Sequence, residues 1–236
     1  DFFAERGVFM LKFKTLALPI GILTVVAAIA TVLVITFAGK KEGRKLILLM
    51  PGSRLMEIEK MLPTLLEAAK IIQKQLPEVD FVMPRAGTIP LNLLEEKIQA
   101  SGLDVRITEG HNYDLFSVAD LALATSGTVT LEAALCGLGS VIVYRTNPLT
   151  YMIAKMVVNI PHIGLPNIVA GRSVVPELIQ NDFTPAKVAK AAMELLESER
   201  NALMKKDLKY VKERLGKPGA VGRVAELVLK IAGEKR

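Results

Sequence analysis

The chain has 236 residues, 51% hydrophobic and 23% charged, with a formal net charge of +6. That size allows one large domain or two small ones, and the composition excludes a disordered or low-complexity chain. A single cysteine, Cys136, rules out an internal disulfide and a cysteine-based zinc site, while the lack of Trp and 5% aromatic residues argue against a base-stacking surface.

The mean hydropathy of +0.37 is high for so charged a chain, and its source is local. Residues 15–38, TLALPIGILTVVAAIATVLVITFA, form a run of 24 without a charge. As a helix this run would span about 36 Å against a hydrocarbon core of about 30 Å, which suits one tilted transmembrane helix. It is too long for a signal-peptide core. The alternative is a helix or strand pair buried in a larger protein. Residues 1–14 form the N-terminal flank. Residues 1–45 hold seven Lys/Arg and three Asp/Glu and so carry most of the basic excess. A nucleic-acid footprint would instead spread basic residues along the folded domain, so no nucleic-acid partner is expected. Lys12 and Lys14 precede the run, and Lys40, Lys41, Arg44 and Lys45 follow it. The positive-inside rule then favours a cytoplasmic C-terminal portion.

From residue 46 to 236 the pattern alternates. Strand-length apolar runs fall at Leu46–Met50, Val79–Met83, Val105–Thr108, Leu121–Ala124 and Val141–Tyr144. Short continuous runs of this kind suit strands buried on both faces. Leu55–Gln75 carries apolar residues at helical spacing, as do Leu91–Ala100 and Thr128–Cys136, the last with Gly137 as its C-cap. Strand–helix alternation predicts a parallel sheet with right-handed crossovers, an α/β fold. Leu149–Val158 reads as a helix, residues 160–176 as a Pro/Gly-rich loop, and Pro185–Leu196, Glu199–Leu215 and Ala220–Ala232 as helices.

Ligands of such a sheet bind at the C-terminal edge of its strands, and three loops belong there. In Met50-Pro51-Gly52-Ser53-Arg54, Gly52 permits a tight turn and Ser53 is a natural N-cap. Arg54 opposes the helix dipole, which makes sense if an anion is bound beside it; a solvated Arg is the plain alternative. Thr125-Ser126-Gly127-Thr128 puts hydroxyls and free N–H groups at a helix N-terminus, with Glu132 one turn on; ordinary N-capping explains it equally. The stretch 164–180 holds Asn167, Arg172, Glu177 and Gln180, and Glu177 has the chemistry to accept from a ribose diol. Arg145, ending a strand, either reaches the ligand edge or lies on the surface. No dinucleotide fingerprint or P-loop occurs. His111 and His162 lack metal-ligand spacing, and Cys136 reads as a small core residue.

Together LLMPGSRLMEIEKMLP (48–63), ATSGTVTLEAAL (124–135), VIVYRTNPLTY (141–151) and IGLPNIVAGRSVVPELIQ (163–180) resemble, in order and spacing, the C-terminal half of lipid-A-disaccharide synthase. The resemblance implies a Rossmann-like nucleotide-sugar domain of the GT-B glycosyltransferases at 46–236, without metal or cofactor. The implied reaction transfers 2,3-diacylglucosamine from UDP-2,3-diacylglucosamine to 2,3-diacylglucosamine 1-phosphate, at the cytoplasmic face of a bacterial inner membrane. Arg54 would stabilise departing UDP, with Ser53 and Arg145 among the substrate-binding residues. Ser126, Gly127 and Thr128 would bind phosphate, Glu132 and Glu177 ribose or uracil, and Gln180 would be a further substrate-binding residue. Asn167, in the GLPN string, would contact sugar or phosphate. A homodimer is compatible with this reading. The resemblance departs at the N-terminus: the family's acceptor-binding half is missing, DFFAERGV (1–8) resembles a part of it, and the apolar run stands where the family has a linker. Two other functions therefore stay open, a membrane-tethered, non-catalytic UDP-sugar-binding remnant and an enzyme like UDP-N-acetylglucosamine 2-epimerase.

Overall fold

The computed structural model describes residues 43–148, 150–152, 161–217 and 219–233. The apolar run 15–38, its flank, and most of the helix expected over Leu149–Val158 lie outside them; residues 150–152 are helical. Among the described residues no helix is long and apolar enough to cross a membrane.

Six strands form one parallel sheet: β1 (Lys45–Met50), β2 (Val79–Arg85), β3 (Val105–Glu109), β4 (Leu121–Thr125), β5 (Ser140–Tyr144) and β6 (Glu177–Ile179), in the order β3-β2-β1-β4-β5-β6. The helices are α1 (Leu55–Gln75), α2 (Leu91–Ser101), α3 (Asn112–Val118), α4 (Thr128–Leu135), α5 (Leu165–Ala170), α6 (Pro185–Leu196), α7 (Ser198–Arg214) and α8 (Ala220–Gly233). This is the doubly wound arrangement that the alternation predicts, and the strand order reverses between β1 and β4.

The central strands β1, β4 and β5 are apolar almost throughout because each alternates between two cores. Ile47, Leu49, Phe81, Met83, Leu123 and Val143 meet the α1 stripe of Ile58, Leu62, Leu65, Ala69 and Ile72. Leu46, Leu48, Val82, Ala122 and Ala124 face the other way, onto Leu115, Phe116 and Ala133. Ile142 joins a third cluster with Ala170, Val175, Met204 and Leu208. At the opposite end of the sheet, Arg44 Nε donates to Asp80 Oδ1 at 2.9 Å, and Leu46 N–H donates to Asp120 Oδ2 at 2.8 Å. These bonds fix β1 between its two neighbours.

The structure corrects several expectations. The stretch 160–176 is not all loop, because Pro166 opens the short helix α5 and Gly171 closes it at φ +70°. α3 and β6 were not foreseen, since seven and three residues are too short for a periodicity to show. Cys136 is not a core residue: α4 ends at Leu135 and Cys136, its C-cap, is exposed. α8 buries none of its residues against the described fold.

Candidate nucleotide-sugar site

The β1–α1 turn is built around Gly52, whose φ of +120° suits a residue without a side chain. A Cβ there would overlap the Glu57 side chain. The N-cap is Arg54, not Ser53 as the sequence suggests, and the cap comes from the next turn. Glu57 Oε2 accepts the N–H of Ser53 at 2.8 Å and of Arg54 at 3.2 Å, and Oε1 pairs with Arg54 Nη1 at 3.3 Å. The Thr88 hydroxyl donates to the Ser53 carbonyl at 2.7 Å and ties the turn to the β2–α2 connection. Apart from that pairing, the Arg54 side chain is 82% exposed.

Across the sheet reversal, α4 starts at Thr128 with Gly127 as N-cap and no side-chain cap. The N–H groups of Gly127 and Thr128 have no partner among the described residues. Thr125 Oγ1 is buried and likewise unpartnered. Between the two turns lies a cleft of about 510 Å³. It is lined by Gly52, Ser53, Arg54 and Glu57 on one side and by Thr125, Ser126, Gly127, Thr128 and Glu132 on the other. Orphan donors at a helix N-terminus across a cleft from an exposed cation make a candidate anion site.

Three polar lining residues escape sequence reasoning: Glu57, Arg85 and Asn112. Arg85 extends β2 beyond its expected end, donates to the Ile89 carbonyl at 2.5 Å and pairs with Glu109. Asn112 opens α3, which the sequence did not show. Glu57 was legible in principle, because a Glu three residues after a helix N-cap is a capping signal. Behind the cleft, burial and neighbouring Glu132 push the Tyr113 phenol above its ordinary value.

The 161–183 stretch is organised differently. Asn167 is 0% exposed. Its Oδ1 accepts the N–H of Val174 at 2.7 Å and of Val175 at 3.0 Å; its Nδ2 donates to the Val175 carbonyl at 2.8 Å and to Glu177 Oε1 at 2.6 Å. All its hydrogen-bonding positions are filled from within, so here it is a brace and not a sugar or phosphate contact. Glu177 accepts the N–H of Ile163 and Gly164 at 2.9 and 3.1 Å and is turned inward. Gln180 is paired with the Thr146 backbone through both ends of its amide. Arg145 donates to the Phe183 carbonyl and stacks on the Phe183 ring, 4.9 Å from its centroid. Arg172 pairs with Asp207 at 2.6 Å. None of these five lines the cleft. Among the described residues no group of three or more His, Cys, Asp or Glu could hold a metal ion.

The family described as lipid-A-disaccharide synthetase matches residues 35–231. This chain belongs to that family. It is 40% identical over 198 residues to the lipid-A-disaccharide synthase of Geobacter sulfurreducens, covering 84% of this chain and 52% of that protein. With the lipid-A-disaccharide synthase of Trichlorobacter lovleyi it is 42% identical over 195 residues, 82% of this chain and 51% of that one. The chain thus spans about half the length of the curated relatives it matches. Among solved structures, a UDP co-structure of MnaA from S. aureus superposes with a TM-score of 0.58 at 14% identity, covering 85% of this chain and 48% of that one. UDP-GlcNAc 2-epimerase from Neisseria meningitidis, bound to UDP-GlcNAc, gives 0.54 at 17% identity, covering 89% and 50%. WaaG, a glycosyltransferase of lipopolysaccharide biosynthesis, gives 0.55 at 17% identity, covering 78% and 46%. At these identities the likeness concerns the fold alone.

Proposed function

We propose that this chain forms the donor half of a lipid A glycosyltransferase, binding UDP-2,3-diacylglucosamine through its diphosphate. The observation that carries the reading is the cleft at the sheet reversal, where exposed Arg54 faces the uncapped N-terminus of α4. Family membership supplies the substrate class. When the acceptor, 2,3-diacylglucosamine 1-phosphate, displaces UDP from the sugar, negative charge grows on the departing β-phosphate. A guanidinium and preorganised N–H groups beside it lower that barrier. The acceptor and the base that activates it belong, in this reading, to the half of the relatives' length that the chain does not span. The reading also places the reaction at the cytoplasmic face of the bacterial inner membrane, where the apolar run 15–38 and its basic flanks would hold the domain near its lipid substrates.

Calorimetric titration with UDP tests this. The 236-residue chain should bind UDP, and Arg54→Ala should weaken binding about 10- to 100-fold, the value of a charge-assisted hydrogen bond. Equal affinity in the variant would remove Arg54 from the site; no binding by the native chain would end the donor-half reading.

A further inference from the structure

Counting donors around the α4 N-terminus separates groups that can meet a ligand from groups that only hold others. Ser126 has two donors, and both are spent. Its hydroxyl donates to the Ile163 carbonyl at 3.0 Å, and its N–H donates to the Val143 carbonyl at 3.0 Å. Neither is left for a phosphate. The unspent donors are its neighbours, the N–H groups of Gly127 and Thr128 and the hydroxyl of Thr125.

Ile163 is gripped from its other side by Glu177. The carboxylate, 8% exposed, takes the Ile163 N–H on Oε2, and the Gly164 N–H and Asn167 Nδ2 on Oε1, with His162 Nδ1 at 3.7 Å. A buried carboxylate persists only when its lone pairs are filled in this way. Gly164 is the residue that allows the approach, since a Cβ there would lie 3.0 Å from Glu177 Oε1 and overlap Ile142. One connected path therefore runs from a buried charge, through one peptide, to the turn that opens α4.

We infer that Glu177 is a positioning residue for the anion-binding turn. Acting through Ile163 and Ser126, it sets where the Gly127 and Thr128 N–H groups point, and Ser126 is an anchor and not a phosphate donor. The inference rests on the donor-half reading of the cleft. Its signature is selectivity: the path ends at the phosphate-facing turn, so its loss weakens binding of the diphosphate and leaves the nucleoside alone.

The full chain, Ser126→Ala, Glu177→Gln and the double variant are titrated with UDP and with uridine, and their thermal midpoints are recorded. Glu177→Gln turns an acceptor into a donor facing N–H groups that need an acceptor. Ser126→Ala should weaken UDP binding roughly 3- to 10-fold with uridine affinity unchanged. Glu177→Gln should do at least as much, and the double variant should be no weaker than Glu177→Gln, because both changes cut one path. If Glu177→Gln does not fold, the UDP-to-uridine ratio of Ser126→Ala decides. Equal losses for UDP and uridine would show direct nucleoside contact and overturn the inference. So would an unchanged UDP affinity in Ser126→Ala, or additive losses in the double variant. A native chain that binds uridine but not UDP, or neither, overturns the donor-half reading and the inference together.

Discussion

Two loop clusters at the same sheet edge use similar residues for opposite ends. Around β1–α1 and β4–α4, polar groups face a cleft: Arg54 is extended into solvent and the Gly127 and Thr128 N–H groups are unspent. In the 161–183 stretch and against it, polar groups face the chain: Asn167 has all four hydrogen-bonding positions filled, Glu177 accepts three bonds, and Gln180 and Arg145 bond to backbone. Both clusters are rich in Gly, Pro, Arg and polar side chains, and both carry motifs that the family resemblance marks. The difference lies in burial. A buried polar group must be satisfied from inside, whereas an exposed one can keep its bonds for a ligand.

The sharpest way to break this contrast is Asn167→Leu. It removes the partner of two backbone N–H groups and of Glu177 in a site with 0% exposure. It should cost about 3 kcal/mol of stability, read as the shift of a urea midpoint. A loss below about 1 kcal/mol would mean that Asn167 is no brace. Arg54→Ala is the mirror image: a large loss of UDP affinity, with stability within about 0.5 kcal/mol of native because its ion pair is exposed. If the two variants exchanged phenotypes, the contrast would be reversed. Gly52→Ala comes next. The positive φ and the overlap with Glu57 should cost about 1 to 3 kcal/mol, visible in thermal unfolding, and an unchanged midpoint would show that the turn adapts freely. The smallest effect concerns the far end of α4. Although Cys136 is exposed as a residue, partial desolvation of its thiol pushes its ionisation up, with Lys212 opposing and nearby Glu132 adding. A raised value means less thiolate at pH 8, so Cys136 should alkylate more slowly than a free thiol, and Lys212→Ala should slow it further. Alkylation should leave UDP affinity as it was; a large drop would extend the sensitive region beyond the N-terminus of α4.

The sequence made the sheet legible because its signal is dense. Five strands are short apolar-rich runs and the helix Leu55–Gln75 carries a long apolar stripe, and their ends fall within two residues of the expected ones. The cleft was legible through Arg54 and the Ser126–Thr128 turn, since glycine and hydroxyl residues at strand-to-helix junctions have few other uses. Asn167 and Glu177 read as ligand contacts in the sequence, whereas the structure turns both into the chain, because a side chain's direction is not encoded locally. It depends on β6, three residues long, pairing with β5 through Val143 and Leu178. That pairing carries Glu177 under Ile163. Arg85 and Asn112 were missed for a related reason: they reach the cleft only because β2 and α3 sit beside β1 in space.

The parallel pairing of β1 with β4 also has a kinetic meaning. The bond between the Leu46 N–H and Asp120 joins residues 74 apart in sequence, and the cleft opens on that same seam. Closing so long a loop is slow relative to forming the local helices on either side. On refolding from denaturant, helical signal should therefore return before the capacity to bind UDP.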